Sequence, residues 1–105
     1  MDASGGPIHS HFEDDPSHAD AIEAFVVALA ERVDSLQDNE ARSDWPRLIA
    51  GLDELARAAA QAGYPQLAEV AAEVARAASE RHCELAHKAL VELTDVAQRI
   101  RRGHR

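Results

Sequence analysis

The chain has 105 residues and a formal charge of −8, with apolar residues at 46% but aromatic residues at only 4%. A chain of this length forms one domain and buries about two-thirds of its unfolded surface, here against Leu, Val, Ile and abundant Ala. Phosphate contacts need clustered Lys and Arg, so the acidic balance argues against nucleic acid and against an anionic membrane surface as partners.

Residues 1–16 hold His9, His11, Pro7, Pro16 and the cluster Glu13-Asp14-Asp15, and are expected to be flexible or only partly docked. Ile8 and Phe12 are the only large apolar groups that could pin this segment to the body. His9, His11 and His18 have no further ligand at zinc-site spacing, so no metal is expected.

The first helix follows, capped by Ser17 or Asp20. Ile22, Phe25, Val26, Leu29, Val33 and Leu36 make one stripe of helical period, with Glu23, Glu31, Arg32 and Asp34 opposite. Residues 37–43 are polar and are expected to form the connector, with Ala41 and its neighbours able to extend either helix.

Ser43 or Asp44 caps the second helix, whose first turn tolerates Pro46 because its amides have no partner there. Trp45, Leu48, Ile49, Leu52, Leu55 or Ala56, and Ala59 recur on one face. Gly63 suits the left-handed residue that ends a helix, and Pro65 suits the first turn of the next.

Leu67, Val70, Ala71, Val74 and Ala78 give the third stripe. The fourth is Leu85, Ala86, Ala89, Leu93, Val96, Ala97 and Ile100, ending in Arg99, Arg101 and Arg102, where cations complement the helix dipole. Between Pro65 and Arg102 there is neither Gly nor Pro. The break between these helices therefore rests on Ser79 as a cap and on polar Glu80, Arg81 and His82, with one continuous helix as the alternative. Four amphipathic segments with short connections predict an all-α, antiparallel up-down-up-down four-helix bundle over residues 17–102, with 103–105 as a tail.

The lone Cys83 excludes an internal disulfide. The N-terminus has no basic and apolar leader, and the longest apolar run, residues 24–30, is far short of a membrane span. A cytoplasmic protein is the expectation. No Ser-His-Asp set, phosphate loop or paired catalytic carboxylate occurs at recognisable spacing, so neither an enzyme nor a cofactor is expected.

The order of these segments resembles the histidine-containing phosphotransfer (HPt) domain of bacterial phosphorelays. The similarity spans residues 7–100, and its best marker is the corner Gly63-Tyr64-Pro65-Gln66-Leu67 with Ala71-Ala72 beyond. The family signature is His-x-Leu-Lys-Gly-Ser/Ala on the second helix, with the phosphorylated His ten residues before the corner glycine. Here that position is Asp53; the signature Leu is Leu55, its Lys falls on Ala56, its Gly on Arg57 and its small residue on Ala58.

The scaffold therefore resembles the family while the chemistry departs from it. A phosphoryl carrier needs a neutral imidazole nitrogen to attack and pass on the group. Asp53 is anionic, would give an acyl phosphate, and faces the acidic pocket that the resemblance implies on a receiver domain. Arg57, four residues on, can pair with it for about 0.3–0.5 kcal/mol.

Pro46, Ala50, Asp53, Arg57 and Ala60 lie roughly 100° round the helix from the Trp45–Leu48–Leu52 stripe. By resemblance this flank is where a receiver domain docks. The resemblance thus implies a degenerate HPt-like module of two-component signalling that binds a response-regulator receiver domain or a sensor histidine kinase. Two alternatives stay open: relay through His82 or His87, or a helical interaction protein pairing through its Ala-rich faces. A monomer or weak dimer is expected.

Overall fold

A computed structural model describes residues 6–104. Its four helices are α1 (Ala19–Ala41), α2 (Trp45–Ala62), α3 (Pro65–Ser79) and α4 (Cys83–Gly103). The fold is all-helical, without strands among the described residues. Each helix packs on the next, and α1 closes against α4. Glu40 meets His87 and Gln37 meets Thr94, so the contacts descend α1 as they ascend α4. Helices lying side by side in opposite senses meet in this order.

The stripes converge on a core whose largest fully buried side chains are Leu29, Leu48, Leu52, Leu55, Leu67, Leu93 and Ile100. Phe25 and Tyr64 stack at 5.7 Å between ring centroids and supply its aromatic part. Facing alanines at Ala59, Ala71, Ala78, Ala86 and Ala97 are buried as well. Small side chains let the backbones approach, which is how a chain poor in aromatics still fills its interior. In the fourth stripe Leu85 is exposed, and Leu90 takes the buried place on α4 instead.

All three connections use one device. After α2, the Tyr64 amide donates to Ala59 O at 2.8 Å and the Gly63 amide to Ala60 O at 3.2 Å, with Gly63 left-handed at φ 89°. This pair of bonds is the Schellman motif, which satisfies carbonyls that the last helical turn leaves open. After α1, the Asp44 amide donates to Asn39 O and the Ser43 amide to Glu40 O, with Ser43 at φ 56°. After α3, the His82 amide donates to Ala77 O and the Arg81 amide to Ala78 O, with Arg81 at φ 62°. Only the central connection carries the glycine that this conformation favours.

Several expectations need correcting at the helix ends. Residues 37–41 continue α1, because Gln37 Nε2 donates to Thr94 Oγ1 and Glu40 pairs with His87, so α4 supports the polar extension. The connector is only residues 42–44. Asp44, not Ser43, caps α2, its carboxylate accepting from the Arg47 amide at 3.3 Å.

Helices α3 and α4 are separate, but Ser79 is the last residue of α3 and its hydroxyl donates back to Arg76 O. His82 precedes α4 without capping it through its side chain. Ahead of α1, neither Ser17 nor Asp20 is the cap. Instead a 3₁₀ turn at Pro16–His18 is capped by Asp15, whose carboxylate accepts from the Ser17 hydroxyl and amide. Those bonds hold the Asp15 carboxyl below its ordinary range. Gly103 belongs to α4 rather than to a tail.

Residues 1–5 lie outside the described residues, but residues 6–16 are docked rather than loose. The Ile8 amide donates to Arg99 O at 3.0 Å, and Arg99 Nε donates to Gly6 O at 2.8 Å. The His11 amide donates to Gly63 O at 2.8 Å. Ser10, 5% exposed, donates from its hydroxyl to Ala62 O. The segment thus straps the C-terminal ends of α2 and α4, and Ile8 packs against the core while Phe12 stays on the surface.

Candidate functional site: the outer flank of α2

Helix α2 begins at the Asp44 cap and ends at the Gly63 turn, and its buried stripe of Leu48, Leu52, Leu55, Ala59 and Ala62 fixes its rotation. That rotation leaves Pro46, Ala50, Asp53, Arg57 and Ala60 all exposed on one flank. Their spacings of four, three, four and three residues make them a continuous strip down the helix. Along one edge run Trp45, Ile49 and Ala56, which are half-buried and pack on the core from outside.

Asp53 sits near the middle of this strip, with a small residue a turn before it at Ala50. It points away from the bundle interior, since its neighbours Leu52 and Leu55 take the buried positions. Arg57 does not pair with it: among the described residues no ion pair involves either side chain. The strap stops short of this surface, because Ala60 stays exposed although Ala62 holds Ser10.

No histidine stands on the flank. His87 projects from α4, where its Nδ1 lies 3.0 Å from a Glu40 carboxylate oxygen of α1. His82 lies in the α3–α4 connection, 3.7 Å from Glu80. His9 pairs with Glu13 at 3.2 Å, and His18 pairs with Asp15 at 3.0 Å while stacking on Phe12. The structure therefore brings each of these histidines to a different carboxylate and brings none to Asp53. Among the described residues, no three His, Cys, Asp or Glu side chains gather to hold a metal ion. Among the same residues, no helix is long and apolar enough to cross a membrane.

Two features escaped the sequence reasoning. One is the strap anchored by Ser10, for which a lone serine in a polar segment carries no signal. The other is a cleft of about 160 Å³ between α1 and α4, lined by Ala30, Val33 and Ala97 together with Asp34, Gln37 and Thr94.

Comparison with protein-family models, curated proteins and solved structures returns no match.

Proposed function

We propose that this protein is an HPt-like member of a two-component phosphorelay that lacks the phosphorylatable histidine. It acts as a non-catalytic docking module for a response-regulator receiver domain or a sensor histidine kinase. The observation that carries this reading is Asp53, ten residues before the corner glycine and exposed in the middle of a smooth flank. A carboxylate there rules out relay through this position, because the nucleophile of a phosphoramidate carrier is a neutral imidazole nitrogen. The small side chains at Ala50 and Ala60 leave room for a partner's surface to approach the helix. A docked module without a transferable group competes with a true carrier for the same receiver.

The test is a titration with phosphorylated receiver domains encoded in the same genome, following both complex formation and radiolabel. The expected result is saturable binding with no label on this chain. Ala50→Glu should weaken that binding at least tenfold while leaving the unfolding midpoint unchanged, as for an exposed position. Acid-labile label on this chain, mapped to His82 or His87, would remove the non-catalytic part of the proposal. Absence of binding to any receiver or kinase would remove the rest.

A further inference from the structure

Helix α2 is electrically neutral in a strongly acidic chain. Its charged residues are Arg47, Asp53, Glu54 and Arg57, two of each sign, whereas α1 carries six acidic residues and one arginine. The α1 surface therefore repels a second copy of a chain with net charge −8. The α2 flank does not.

The flank is also complementary to itself. Asp53 and Arg57 are equidistant from position 55, and so are Ala50 and Ala60. A two-fold axis at that level, crossing two α2 helices in opposite directions, places Asp53 against Arg57 of the other copy and Ala50 against Ala60. Each contact occurs twice, as an isologous interface requires. Both charges are exposed and make no ion pair in their own chain among the described residues, so nothing must be broken to form these pairs. Half-buried Trp45, Ile49 and Ala56 border the strip and would lose their remaining exposure.

We propose that a second copy of this chain docks on this flank, α2 against α2, through reciprocal Asp53–Arg57 pairs flanked by Ala50–Ala60 contacts. The helix is 18 residues, about 27 Å, and one exposed face of it falls below the roughly 800 Å² per partner of a standard stable interface. The dimer is therefore weak and reversible, with a dissociation constant in the range of about 0.1–1 mM. Self-pairing hides the surface assigned above to receiver docking, so the two associations exclude each other. The dimer itself does not depend on the phosphorelay reading.

Sedimentation equilibrium of the full chain alone, across protein concentration, tests it without any receiver or kinase present. Wild type is expected to self-associate in that range. Asp53→Arg alone and Arg57→Asp alone should each weaken self-association about tenfold, since each sets like charges opposite one another. Mixing these two variants restores pairing, because one copy then presents two guanidinium groups and the other two carboxylates. The double exchange on one chain restores it as well. Circular dichroism checks that both variants stay folded, as exposed substitutions should. A wild type that stays monomeric to about 1 mM overturns the proposal. So do single variants that associate as wild type does, or a mixture that fails to recover. Because receivers are absent from this experiment, its failure leaves the docking function standing, and the reverse holds too.

Discussion

The Ser10 hydroxyl donates a 2.6 Å hydrogen bond to the carbonyl oxygen of Ala62, 52 residues further along the chain. Ser10 Oγ in turn accepts from the Phe12 amide at 2.9 Å, so one buried side chain fastens the strap to the last carbonyl of α2. Ser10→Ala removes a donor and an acceptor at once, and should cost about 1–3 kcal/mol. Gly63 lies beneath the strap: a Cβ there would press on Ser10 Oγ and come within 2.8 Å of Phe12, at a φ that L side chains resist. Gly63→Ala should cost about 2–4 kcal/mol, combining the left-handed penalty with overpacking. Urea unfolding of Ser10→Ala, Ser10→Gly, Gly63→Ala and the double variant Ser10→Gly with Gly63→Ala checks this. Removing the Ser10 side chain should recover part of the Gly63 penalty, and strict additivity would show that the strap is not seated there.

Ser43 and Arg81 hold left-handed backbone without being glycine, at φ 56° and 62°. Ser43→Gly and Arg81→Gly should each stabilise the protein by about 0.5–1 kcal/mol, since relief of the steric cost exceeds the added freedom of the unfolded chain. Thermal melts should shift upward by a few degrees. A downward shift would mean that the lost side chain contributes more than the strain it relieves.

Leu85 and Leu90 test the rotation of α4. Leu85 is 55% exposed, at the rim of a groove beside Glu73, Arg76 and Ala89, whereas Leu90 is 3% exposed and belongs to the core. Leu90→Ala should destabilise by about 2–5 kcal/mol and Leu85→Ala by less than about 0.5 kcal/mol. Comparable losses at both sites in chemical unfolding would contradict this rotation.

Burial pushes the Tyr64 phenol above its ordinary value of 10.0, and the Glu13 carboxylate pushes it the same way. The folded chain then holds the phenolic proton more tightly than the unfolded chain. Stability from this group is complete below pH 10.0, and is lost as pH rises from there through the folded value. Because the chain has a single tyrosine, phenolate absorbance reports it alone. The expected titration midpoint lies above 10.0 in the folded protein, falls in denaturant, and moves down with Glu13→Gln.

Much of the architecture is legible without coordinates. The stripe from Ile22 to Leu36 is buried throughout. Gly63 is left-handed and Pro65 opens α3, as the corner residues require. Asp53 and its four companions are exposed because a helix that buries Leu48, Leu52 and Leu55 has no rotation left. The fourth stripe, read from sequence, is displaced at its start: it includes Leu85 and omits Leu90. Apolar character marks both leucines alike, and only the position of α3 decides which one is covered.

The sequence by itself determined the all-helical class, the faces that α1, α2 and α3 bury and the neutral, small-residue flank of α2. These depend on spacings of three and four residues, which are local and periodic. Tertiary structure alone decided how α1 ends, how Ser43 and Arg81 turn the chain, and where the strap lies. At the end of α1 and along the strap, the energy comes from residues distant in sequence: Thr94 and His87 hold the first, and Ala62, Gly63 and Arg99 hold the second. A hydroxyl such as that of Ser10 is silent in the sequence because its partner is a backbone carbonyl, which every residue carries.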